Sequence, residues 1–127
     1  MEKSVVLIVE DEALIRMDTV RMVEDAGFAV LEACNADEAI TILEGRSDIR
    51  AVFTDINMSG SMNGLKLAHV IRDRWPPLHL MVTSGLMIPD KDHLPKNVPF
   101  IRKPYRAEQV TAALRELFCT APSAGPP

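Results

Sequence analysis

Glu10-Asp11-Glu12, Asp55, Ser84 and Lys103 are the residues of this chain whose types could do chemistry together. Carboxylates drawn within a few ångström of one another raise each other's pKa or must be neutralised. A divalent cation is the usual remedy, and magnesium, which prefers oxygen ligands, binds through one or two carboxylates together with phosphate oxygens. A lysine beside the metal supplies a point charge for an anion, and a serine hydroxyl adds a hydrogen-bond donor. The set suits a phosphoryl group held next to a cation, provided that the fold carries these distant residues to one edge. Each also has a bland reading: the acids as the charged start of a helix, Asp55 as a loop cap and Lys103 as a solvated side chain, Ser84 as a partner of backbone groups. Their joint placement decides between the two. His69, His79 and His93 are scattered and form no ligand set, and Cys34 and Cys119 have no CxxC spacing, so both cysteines read as reduced packing residues.

The elements that must do the positioning follow from periodicity. Residues 4–11 are a continuous β-branched run, as expected of a strand covered on both faces. From Leu14 to Ala26 the period becomes helical, with Ile15, Thr19, Met22, Val23 and Ala26 on one face and Gly27 as the stop. Residues 28–33 predict a second strand, and Asn35 with Glu38 predicts a capping box for a helix through about Leu43. A third strand covers 51–55, and Leu67, Ala68, Ile71 and Trp75 mark a helix that Pro76 and Pro77 end. Strands follow at 78–84 and 98–101, then a last helix through Val110, Ala113, Leu114 and Leu117. Between the last two strands Gly85, Pro89 and Pro95 predict a fourth helix that is short or absent, and 120–127 predict a disordered, proline-rich tail.

Alternating strands and helices imply one α/β domain over 1–119, doubly wound on a parallel sheet. Such sheets bind ligands outside the C-terminal ends of their strands, where strand order reverses, and Glu10-Asp11, Asp55, Ser84 and Lys103 all sit at predicted strand ends. The length of 127 residues, with 47% hydrophobic and 25% charged positions, suits one core. A formal charge of -4 without a basic stripe argues against nucleic acid as a partner. No apolar run reaches bilayer length and the N-terminus lacks the order of a signal peptide, so a cytoplasmic location, away from the membrane, is expected.

Acid pair, single acid, hydroxyl and lysine in that order, carried by "LIVEDE", "TDINMSGSMNG", "VTSG" and "FIRKPY", resemble the receiver domain of two-component response regulators, of the stand-alone single-domain type. The resemblance covers residues 4 to about 119. It implies a five-stranded, flavodoxin-like sheet of order 2-1-3-4-5. It further implies Asp55 as phosphoacceptor for a sensor histidine kinase or histidine phosphotransfer protein, and Mg2+, or Mn2+, held by Asp11, Asp55 and the Asn57 carbonyl, with Glu10 on a metal-bound water. Lys103 would pair with Asp55 and with the phosphoryl oxygens. Ser84 matches the switch hydroxyl, with Thr83 the alternative if the alignment slips by one, and Ser84 is preferred because Gly85 then fills the small position that follows. Phe100 matches the switch aromatic, and Pro104 the proline after a cis bond.

Two departures stand out: Ser59 replaces a usual proline in a turn one residue longer before Gly64, and the weak fourth helix puts a standard dimer face in doubt. On the first helix Leu14, Met17 and Val20 lie off the core stripe, which proposes them as a kinase docking patch. No output domain is expected after the last helix, so the expected output is an unknown downstream protein or phosphoryl flow itself. The readings are a phosphorylation-switched regulator that catalyses only its own phosphorylation and dephosphorylation, a phosphate sink or phosphorelay intermediate, and a phosphorylation-independent pseudo-receiver. Asn57 excludes a haloacid-dehalogenase-like phosphatase, which needs a second aspartate there.

Overall fold

The computed structural model describes residues 3–58, 62–85 and 93–119. Ser59, residues 86–92 of the segment expected to hold a weak helix, and the expected tail at 120–127 lie outside the described residues. The elements are β1 (Val5–Val9), α1 (Ala13–Asp25), β2 (Ala29–Ala33), α2 (Ala36–Gly45), β3 (Ile49–Asp55), α3 (Gly64–Arg74), β4 (His79–Ser84), β5 (Phe100–Arg102) and α4 (Ala107–Phe118). The strands form one parallel sheet of order β2-β1-β3-β4-β5, the expected topology, with the order reversing between β1 and β3.

Local chemistry accounts for the element ends. Asn35 caps α2, its Oδ1 accepting from the Glu38 N–H at 2.8 Å. Glu38 reaches back to the Cys34 N–H at 3.2 Å, one residue upstream of the expected box partner. Asn63 caps α3 in the same way, accepting from the Lys66 N–H at 2.9 Å. Gly27 ends α1 at φ 103°, a left-handed conformation that only glycine adopts without cost. Trp75 closes α3 ahead of the two prolines, and the Arg74 guanidinium lies 4.4 Å from the centre of its ring.

Two cores sandwich the sheet. On one face Leu7, Val9, Val52, Leu80 and Val82 pack against Leu43 of α2 and against Leu67 and Ile71 of α3. On the other, Val6, Ile8, Phe53, Met81 and Ile101 pack against Val23 of α1 and against Val110, Leu114 and Leu117 of α4. Successive residues of β1 therefore enter opposite cores, which is why its apolar run is unbroken and Val6 through Val9 are at most 1% exposed. Full burial of each such side chain stabilises the fold by about 1.5–3 kcal/mol, before chain entropy is subtracted.

Candidate functional site at the carboxyl edge of the sheet

The alternation that builds the cores also builds the site. Ile8, Phe53, Met81 and Ile101 share one face of the sheet. Two residues further along each strand direction come Glu10, Asp55, Thr83 and Lys103. The same face that is apolar in mid-sheet thus becomes charged at the carboxyl edge. Ser84 follows the opposite parity, that of Val82 and the other core.

Lys103 occupies the centre. Its Nζ lies 2.6 Å from Asp55 Oδ2 and 2.7 Å from Glu10 Oε1, and the three side chains are 14%, 4% and 3% exposed. One oxygen from each of Glu10, Asp11 and Asp55 lies within 4.8 Å of the others. Backbone donors complete the cluster: the Asn57 N–H donates to Asp55 Oδ1 at 2.8 Å, and the Glu12 N–H to Glu10 Oε2 at 3.1 Å. Burial pushes the Glu10 carboxyl above its ordinary value, partly offset by Lys103 and the Glu12 N–H. For Lys103 burial works to lower the pKa, but hydrogen bonds and charge from Asp55 and Glu10 outweigh it and hold the ammonium above its ordinary value.

The acids, Asn57 and Lys103 gather as the sequence predicts, and the Lys103-Pro104 bond is cis. The two β4 hydroxyls differ. Ser84 Oγ accepts a hydrogen bond from Asn57 Nδ2, whereas the buried Thr83 Oγ1 has no hydrogen-bond partner among the described residues. Phe100 is half-buried against the Val82 side of the sheet, away from the charged face. In the expected docking patch Leu14 is 80% and Met17 60% exposed. Val20 corrects that patch: it is half-buried and packs on the second core. The reason is helical geometry, since Val20 adjoins Thr19 and lies one turn from Val23, both fully buried.

Four residues take supporting roles that the sequence reading does not contain. Arg16 donates through Nη1 to the Glu10 carbonyl at 2.9 Å and through Nε to Glu32 at 3.1 Å, so a cation braces the backbone of the acid pair. Its position one helical turn after Glu12 is the available signal. Thr19 and Tyr105 share a hydrogen bond that ties α1 to the chain after Lys103, and the Tyr105 ring lies 5.6 Å from that of Phe53. Burial pushes the Tyr105 phenol above its ordinary value. Gly64 starts α3 so close to the strand end that a Cβ there would stand 1.8 Å from the Asp55 carbonyl oxygen, hence no side chain fits.

Comparison with known proteins agrees with this geometry. A family model described as response regulator receiver domain matches residues 6–115. Sensor kinase CckA of Brucella abortus (strain 2308) is 32% identical over 122 residues, covering 89% of this chain and 12% of that protein. The aerobic respiration control protein ArcA of Escherichia coli (strain K12) is 32% identical over 127 residues, covering 93% of this chain and 50% of that protein. The chain thus spans half or less of the length of these curated relatives. The crystal structure of a response regulator receiver protein from Sinorhizobium medicae WSM419 superposes with a TM-score of 0.88 at 26% identity, covering 94% of this chain and 97% of that one. The receiver domain of the hybrid histidine kinase CckA gives 0.75 at 26% identity, covering 89% and 97%. On fold, site and family match together, this chain belongs to the response regulator receiver domain family of two-component systems.

Proposed function

We propose that Asp55 accepts a phosphoryl group from the phosphohistidine of a sensor kinase or phosphotransfer protein. The observation that carries this reading is the Lys103 ammonium bridging Asp55 and Glu10 inside a cluster of three carboxylates. Acids gathered this closely repel one another, and a divalent cation relieves that repulsion. Their hard oxygen donors fit magnesium, and manganese by the same preference. Asp11 and Asp55 would hold the ion with the Asn57 carbonyl, and Glu10 would hold one of its waters. When bound, it offsets the charge of the phosphoryl oxygens.

In the transfer, an Asp55 carboxylate oxygen attacks phosphorus, the O–P bond forms as the N–P bond of phosphohistidine breaks, and the released imidazole takes up a proton from solvent. Lys103 moves its charge from the carboxylate pair toward the transferred oxygens, where preorganised positive charge contributes most to this reaction. On β4 the geometry favours Thr83 over Ser84 as the switch hydroxyl. Thr83 shares the face of Asp55 and Lys103 and its hydroxyl is buried without a partner among the described residues, whereas that of Ser84 is engaged by Asn57. Movement of Thr83 toward a phosphoryl oxygen would open space that Phe100 follows, biasing a two-state surface read by a downstream protein in the cytoplasm.

Similarity to the receiver of a hybrid histidine kinase favours a second reading, in which the phosphoryl group passes onward to another histidine. Incubation with magnesium and acetyl phosphate, followed by intact-mass measurement, tests the common step. One added phosphoryl group, absent in Asp55→Asn and without metal, is the expected result. No gain under conditions that modify a known receiver would leave a phosphorylation-independent binding module. Loss of the label on adding an unphosphorylated phosphotransfer protein, with the label appearing on its histidine, would select the relay.

A further inference from the structure

Asn57 is gripped from two sides. Its backbone N–H donates to Asp55 Oδ1 at 2.8 Å, and its side-chain amide donates to Ser84 Oγ. Ser84 is 1% exposed and ends β4, next to β3 in the sheet. The bond therefore links the chain leaving β3 to a fixed point on the neighbouring strand, across the mouth of the site. Ile56 before it is held by its N–H on the Thr83 carbonyl at 3.0 Å, and Met58 after it packs on the first core, so the Ser84 bond fixes the Asn57 unit between these two anchors.

We propose that Ser84 is a positioning residue for the cation site: by tethering the Asn57 side chain it keeps the segment after Asp55 in the arrangement that binds a divalent cation. The inference rests on the reading of Asn57 as a cation ligand. In this role Ser84 acts through Asn57. Without the tether the binding-competent arrangement occupies a smaller fraction of the ensemble, and apparent affinity falls by that fraction.

The test is calorimetric titration of the unphosphorylated chain with magnesium chloride, so that no phosphoryl chemistry enters. Ser84→Ala should weaken binding by about three- to tenfold, the range a single net hydrogen bond supports. Ser84→Thr, which keeps a hydroxyl, should restore most of the affinity. Asn57→Ala should cost a similar factor, and the double substitution no more than either alone. Urea unfolding without magnesium checks that each variant is folded. Magnesium affinity of Ser84→Ala equal to wild type, or additive effects in the double variant, would overturn the tether; a switch hydroxyl acting only after phosphorylation gives the first of these results. A wild-type chain that binds no magnesium would overturn the tether and the proposed cation site together, whereas wild-type binding with no phosphoryl uptake would leave the tether standing alone.

Discussion

Lys103 holds one ammonium between two buried carboxylates, an arrangement that balances the desolvation of both acids only while the lysine is present. Lys103→Met keeps much of the side-chain volume and removes the charge. In magnesium-free buffer this should cost about 3 kcal/mol of stability, the low end for stripping one partner from a buried pair. Magnesium should then raise the urea midpoint more in the variant than in wild type, because the cation takes over the missing compensation. Equal midpoints for the two proteins without metal would show that Lys103 contributes nothing to the resting site. At this scale the residue types were legible in advance: acids, a hydroxyl and a lysine declare charge chemistry whatever their neighbours. The parity that separates Thr83 from Ser84, on which the proposed switch reading rests, was also within reach. Counting in twos from Phe53 to Asp55 and from Met81 to Thr83 puts those two on one face, whereas the preference for Ser84 rested on the small size of Gly85.

Elements were read well where a local rule governs them. Gly27, Asn35 and the paired prolines mark ends that the structure keeps, because capping and left-handed turns are decided by a few adjacent residues. Strand lengths were less legible: β1 stops at Val9, leaving Glu10 and Asp11 beyond the ladder, and β3 begins at Ile49. Those limits are set by neighbouring strands, which no local pattern contains. At the start of β4, His79 lies 4.9 Å from the Phe118 ring, centre to centre. Burial, and then the nearby Arg72 charge, lower its pKa below the ordinary 6.5. The folded chain therefore binds the proton less readily than the unfolded one, and stability contributed by neutral His79 is lost as pH falls from about 6.5 through the folded value. Urea midpoints at pH 7.5 and 5.5 should drop further in wild type than in His79→Phe, which keeps the ring contact and cannot be protonated. Parallel drops would exclude His79 as a source of the pH dependence.

For the molecule as a whole, Leu14 and Met17 are the large exposed hydrophobics among the described residues. Neither lines the cleft of about 390 Å³ between α1 and the charged edge, whose lining includes Ile15, Thr19, Met22, Lys103 and Tyr105, so the proposed docking patch rests on the exposure of these two side chains. Leu14→Glu with Met17→Glu should slow transfer from a phosphorylated kinase that labels the wild-type chain by about tenfold, the scale of losing one interface anchor. Labelling by acetyl phosphate should persist at the wild-type rate. Unchanged kinase transfer would remove this face from the recognition surface, and Val20→Ala belongs to a different experiment, since that side chain serves the core. The sequence by itself determined the alternation of strands and helices, the doubly wound class and the chemical types gathered at the strand ends. All of these follow from periodicity and from adjacent residues. Only the tertiary structure decided that Lys103 bridges Glu10 and Asp55, that Arg16 braces the acid pair, that Asn57 is tethered to Ser84 and that Val20 turns inward. Each of these joins groups brought together by packing between separate elements, and the distances involved are properties of the assembled sheet rather than of any stretch of chain.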